Sequence, residues 1–242
     1  MSGVHVLRVF TAADGSGGNP LGVFLNGREI EPGERQAAAA ALGYSETVFV
    51  DDAAQGSVEI YTPAVELPFA GHPLVGTAWL LGAECGAVDV LRPPAGEVPA
   101  RAEPGRAFVG GRPAWAPPYE WHELASAADV EALTGPPEGH DLFCAYAWTG
   151  DTTVRARVFP LRLGIAEDEA TGAAAVRLGA LLRRPVAIHQ GRGSVIDVRP
   201  RDDGMVEIGG GVVLDEVRPY PGSAACAPLW GGGAAKRPNS SR

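Results

Sequence analysis

The 242-residue chain carries 20 Lys+Arg against 29 Asp+Glu, a formal charge of −9, and 45% of its residues are hydrophobic. That length gives one large domain or two small ones with a substantial core, and the acidic balance argues against nucleic acid or an anionic membrane as the main partner. The 3 cysteines, Cys85, Cys144 and Cys226, are widely spaced, which argues against a disulfide framework or a cysteine zinc site.

No apolar run approaches the length of a membrane span, and MSGVHVLRVF lacks the pattern of a signal peptide. The expected setting is a reducing cytoplasm. Residues 4–10, VHVLRVF, alternate as a first strand, and Gly17-Gly18-Asn19-Pro20 reads as a turn before a second strand at 21–25. That turn lacks the Lys-Ser/Thr of a phosphate-binding loop. An alanine-rich helix is expected over 32–42, with Pro32 near its start and Gly43 as its stop. GYSETVFV then places Glu46 ahead of the strand Val48–Val50.

The stretch EIYTPAVELPFAGHPLVGTAWLL (59–81) predicts a strand closed by Pro63 and then a helix over 73–82. This helix is apolar or small on every face, so it should be buried, Trp79 included. A buried helix that opens on Gly71-His72 offers free backbone N–H groups to an anion, with an imidazole beside them. This is half of an active site.

Residues 86–120 are rich in Pro and Gly, with short β-like runs at 88–91 and 107–109, and a loose boundary falls here between segments 1–105 and 106–221. Ser126 and Asp129 resemble a capping box ahead of a short helix ending at Gly135. Residues 141–148 and 152–159 flank a Thr-Gly-Asp turn as a hairpin, and strands are expected at 194–199, 204–208 and 211–218. The small, polar end, 222–242, is expected to be disordered. His5, His122, His140 and His189 share no metal-ligand spacing and read as ordinary strand or loop histidines.

Residues 155–182 repeat the opening pattern: a strand ending in Phe-Pro, an acidic approach, Ala-Thr-Gly, and a second small, apolar helix over 171–182. Two such units imply two lobes, and two helix N-termini facing one cleft would suit a small carboxylate.

The segments GGNPLGVF, YSETVFV, IYTPAVELPFAGHPLVGTAWLL, RVFPLRLGIAEDEATGAAA and GRGSVIDVRP together resemble the PhzF-like isomerases of phenazine biosynthesis. The resemblance implies an α+β fold of the diaminopimelate epimerase type: two pseudo-symmetric lobes, each a barrel-like sheet around a buried central helix. It also implies a homodimer with no metal and no organic cofactor. By the same resemblance Glu46 matches the catalytic acid/base, His72 the histidine of A-G-H-P, and Asp168 the aspartate before A-T-G. Ser45, Gly71, Gly172 and Ala173 fall at substrate-binding positions.

Two positions depart from the pattern: Glu169 stands in place of a proline, and Ala173 in place of a serine. The first is expected to add a charge beside Asp168; the second removes a hydroxyl from the helix mouth. Two-cysteine racemases of the same fold would need thiols where this chain has Ala70 and Thr171, which cannot form thiolates. The readings carried forward are a cofactor-independent isomerase acting on a small cyclic amino acid and a non-catalytic binding protein on the same fold.

Overall fold

The computed structural model describes residues 3–86 and 89–220. The alternating N-terminal run forms β1 (Gly3–Thr11), which lies antiparallel between β2 (Asn19–Phe24) and the last strand, β14 (Val206–Pro219). Beyond β2 the sheet continues through β3 (Glu46–Asp52), β4 (Ser57–Tyr61) and the two-residue β5 (Glu66–Leu67). On the far side of β14 it runs through β13 (Ser194–Pro200), β12 (Val186–Gln190), β11 (Thr153–Phe159), β10 (Phe143–Gly150) and β9 (Glu120–Glu123). A branch of β6 (Val90–Leu91), β7 (Val98–Glu103) and β8 (Arg106–Gly111) joins β14 through β8.

The strands expected at 204–208 and 211–218 are one strand. Gly209, Gly210 and Gly211 look like a break, yet they are what lets neighbours close in on β14. A Cβ on Gly209 would lie 2.4 Å from the Ala107 carbonyl oxygen, and one on Gly211 2.4 Å from Thr11 Oγ1. Through these glycines β14 changes partners: it pairs with β8 and β13 at its start and with β1 from Gly211 onward. One strand therefore ties the two halves together.

Helix α1 (Pro32–Leu42) ends as expected on Gly43 in the left-handed conformation (φ 71°). Helix α2 (Gly71–Glu84) begins before the expected residue 73, so Pro73 occupies its third position, where a backbone N–H would still have no intrahelical acceptor. α3 (Ala127–Glu131) is capped by Ser126, whose Oγ accepts from the Asp129 N–H at 3.2 Å, and it stops well short of Gly135. α4 (Gly172–Leu182) is the second central helix.

α2 packs on β1, β2, β3, β7, β8 and β14, and α4 on β13 and β14. Leu74, Leu80 and Leu81 of α2 and Val176 and Leu178 of α4 are fully buried in one continuous core that also takes in Leu7, Leu21, Ile60 and Ile196. Each such side chain contributes about 1.5–3 kcal/mol by leaving water. Trp79 departs from the expectation: it is only half-buried, because its face of α2 borders a surface groove with Arg101 and Glu103.

His122 and His140 also depart from expectation, since β9 and the loop before β10 bring their ring centroids to 5.7 Å. The tail 222–242 and Cys226 lie outside the described residues, as does the start of the run at 88–91.

Candidate active site

The two central helices meet end to end. A Cβ on Gly71 would lie 2.8 Å from Gly172 Cα, and one on Gly172 would lie 2.8 Å from Gly71 Cα, so only glycine at both positions lets the backbones touch. Ala70 and Thr171 hold the capping positions, and neither makes a side-chain cap hydrogen bond. The first N–H groups of both helices are thus left for a ligand, and both dipoles place partial positive charge at the same point.

Glu46 reaches this point from the first residue of β3, which apolar Val48, Phe49 and Val50 fix in the core. Its Oε2 lies 3.4 Å from His72 Nδ1, and the side chains are 15% and 4% exposed. Among the described residues, neither Glu46 Oε2 nor His72 Nε2 has a hydrogen-bond partner. Burial lifts the Glu46 pKa to about 7 against a weaker opposing pull from the Ser45 hydroxyl. Burial likewise drops His72 to about 4, outweighing Asp168 and the Pro20 carbonyl, so the imidazole is neutral at pH 7.

Asp168 enters from the second half. Burial, and next the charge of Glu46, raise its pKa to about 6, against hydrogen bonds from Thr171 and Asn19 and the proximity of His72. Thr171 Oγ1 donates to Oδ2 at 2.7 Å and Asn19 Nδ2 to Oδ1 at 3.0 Å. Asn19 was expected in a turn; it is instead the first residue of β2, 3% exposed. It also donates to the Ala170 carbonyl at 3.1 Å and accepts from Ser45 Oγ at 3.1 Å. A strand of one half thereby fixes the acid of the other. Gln190 completes the support, donating to the Asp168 carbonyl at 2.8 Å and to Thr171 Oγ1 at 3.0 Å.

Of the expected residues, Glu46, Gly71, His72, Asp168, Gly172 and Ala173 line one pocket. Ser45 stands behind it on Asn19. Phe69, Pro117, Tyr119, Leu163 and Ile165 supply apolar walls, and among the described residues no lysine or arginine lines it. Burial first and Asp168 second hold the Tyr119 phenol protonated. Glu169, expected to add a charge beside Asp168, is not among the residues that line this pocket. Its Oε1 turns to the loop after β12, accepting from the Arg192 N–H at 2.5 Å and from Ser194 Oγ at 3.1 Å.

Tyr119, Asn19 and Gln190 gave no usable signal in the sequence. Their role depends on strands that meet only in the folded sheet. Thr171 stands where a racemase would need a thiol, and its hydroxyl holds Asp168.

The profile of the phenazine biosynthesis-like protein family matches residues 7–112, which include Glu46, Gly71 and His72. That match spans less than half of the chain, and it is what residues 7–112 are similar to. A trans-2,3-dihydro-3-hydroxyanthranilate isomerase from Pseudomonas aeruginosa is 29% identical over 216 residues, 72% of this chain and 75% of that protein. The protein of the same name from Pseudomonas fluorescens is 45% identical over 69 residues, 27% of this chain. That match spans only 25% of the relative's length.

A phenazine biosynthesis PhzC/PhzF protein from Clostridium difficile superposes with a TM-score of 0.74 at 18% identity, covering 91% of this chain and 99% of that one. The fold is the expected α+β, diaminopimelate epimerase-like one. In this fold the helix mouths, Glu46, His72 and Asp168 form a single buried constellation. No helix among the described residues is long and apolar enough to cross a membrane.

Proposed function

We propose that this chain is a cofactor-independent isomerase that moves a proton, and with it a double bond, within a small cyclic amino-acid-like substrate. The observation that carries the reading is a carboxyl group held at about 7, with one oxygen unpartnered, at the joint mouth of two uncapped helices. A base poised near neutral pH in a water-poor pocket is what proton abstraction from carbon requires.

The substrate carboxylate sits on the N–H groups around Gly71–His72 and Gly172–Ala173, since the lining offers no cationic side chain. Glu46 takes a proton from an activated carbon, and the electron pair moves into the adjoining π-system. The protonated Glu46 then returns that proton to a second carbon on the same face. Atoms and electrons balance within the substrate, and Glu46 ends as it began. Neutral His72 hydrogen-bonds a substrate oxygen through the unpartnered Nε2, and Asp168 accepts from an amino or imino group.

The substrate follows from the relatives, three of which are named for trans-2,3-dihydro-3-hydroxyanthranilate. A precursor of an alkylproline offers the same carboxylate and ring. The protein acts as a cytoplasmic homodimer in secondary metabolism, including antibiotic and phenazine pathways.

The test is incubation with each candidate in deuterated water, with the label located by NMR. The expected product carries deuterium at the carbon that receives the proton. Saturable binding with no exchange and no turnover would identify a binding protein on the same fold.

A further inference from the structure

We propose that Glu120, His122 and His140 form a binding site for one divalent transition-metal ion of the zinc class, at the open edge of the sheet. Strand periodicity places Glu120 and His122 on one face of β9, and among the described residues β9, the last strand of its sheet, pairs only with β10. His140 comes from the loop before β10. Its Nδ1 lies 2.7 Å from Glu120 Oε2, and His122 Nε2 lies 3.9 Å from the same oxygen.

One candidate ligand atom from each residue lies within 4.8 Å of the others. Bonds of about 2.0–2.1 Å in a tetrahedral zinc site set the ligand atoms about 3.3 Å apart, within reach of small side-chain rotations.

The two imidazoles are already placed by an aromatic wall. His122 stacks on Phe143 at 4.8 Å and 24°, and His140 meets Phe143 at 6.1 Å and the His122 ring edge-on. Register fixes this wall, since Phe143 of β10 is the partner of Glu120.

Two imidazoles and one carboxylate suit zinc, nickel or copper, whereas magnesium and calcium prefer all-oxygen sets. Side-chain exposures of 56%, 43% and 38% for Glu120, His122 and His140 leave the ion a path from solvent and a position for water. Asp141, the neighbouring acid, is taken up by Arg162 at 2.8 and 3.0 Å, so the protein supplies three ligands. A bound ion would clip the edge strand to the loop before β10, one residue from Tyr119 in the pocket wall.

The experiment is calorimetric titration of the untagged, full-length chain with zinc chloride, paired with thermal melting. The proposal expects one saturable equivalent and a zinc-dependent rise in melting temperature. His122→Ala and His140→Ala should each weaken binding at least about tenfold and abolish that rise. Both side chains are solvent-facing, and circular dichroism checks that the variants fold. Cys85→Ser and Glu46→Gln should leave zinc binding unchanged, because they remove the exposed thiol and the buried acid–imidazole pair as competitors. No saturable binding, binding that survives both histidine variants, or binding lost with Cys85→Ser or Glu46→Gln would each overturn the proposal.

Discussion

Glu46→Gln should make the protein more stable at alkaline pH while stripping it of its base. The carboxyl is held at about 7 against an ordinary 4.5, chiefly by burial. Between those values the native state binds more protons than the unfolded chain, so stability falls as pH rises through that window and the cost is complete above pH 7. At one pKa unit per ~1.4 kcal/mol, the ionisation costs about 3 kcal/mol at pH 8.5, and about 2–3 kcal/mol of that arises above pH 5.

Glutamine has the same shape and does not titrate. Its amide can face His72 Nδ1, where Oε2 now lies 3.4 Å away without a hydrogen bond. His72, lowered to about 4, pushes the other way between about pH 4 and 6.5, but it is present in both proteins and largely cancels. Removing the Glu46 charge also relieves Asp168, which reinforces the sign.

For a chain of this size about 2–3 kcal/mol corresponds to roughly 5–10 °C. Melting followed by circular dichroism at pH 5 and pH 8.5 measures it. The difference between variant and parent should widen in favour of the variant as pH rises. A difference that is constant across pH would refute the buried, raised carboxyl.

Three further outcomes follow from the same geometry. In Asp168→Asn the new amide group must face a donor, because Asn19 Nδ2 and Thr171 Oγ1 both already donate to the two oxygens. Urea unfolding should show a loss of roughly 1–3 kcal/mol, with ligand affinity reduced as well. Gly172→Ala places a methyl 2.8 Å from Gly71 Cα, backbone that cannot yield cheaply, so it should cost about 1–3 kcal/mol and weaken carboxylate binding when titrated by calorimetry. The primary amide of a substrate should bind at least about tenfold more weakly than the acid in the same titration, since the helix mouths favour negative charge.

The parts of the site legible in the sequence are those coded locally. Gly71-His72 and Thr171-Gly172 each open an apolar helix, and a helix that is apolar on nearly every face has only the core to go to. Glu46 is legible only through the resemblance of its Ser-Glu-Thr segment, because a glutamate between a helix end and a strand reads equally well as a solvated turn residue. Asn19 is not, since Gly17 and Gly18 do adopt positive φ and imitate an ordinary turn, while the contact to Asp168 spans 149 residues of sequence.

The meeting of His122 with His140 is hidden for another reason: it depends on the parallel pairing of β9 with β10. Gly209–Gly211 misled for the opposite reason: glycine usually punctuates strands, and here it clears space for two neighbouring strands. Trp79 shows the limit of composition, because an apolar helix still borders solvent where the sheet around it ends in a groove.

The most direct test of the proposed chemistry is turnover of the true substrate by Glu46→Gln, at a temperature where parent and variant are equally folded. Loss of a general acid/base costs about 10²–10⁴-fold, and this residue acts in both half-steps. The account predicts at least that loss in kcat, loss of deuterium wash-in from solvent, and substrate affinity within a few-fold of the parent, because the helix mouths of α2 and α4 remain. Turnover within threefold of the parent would remove Glu46 from the mechanism and contradict the account.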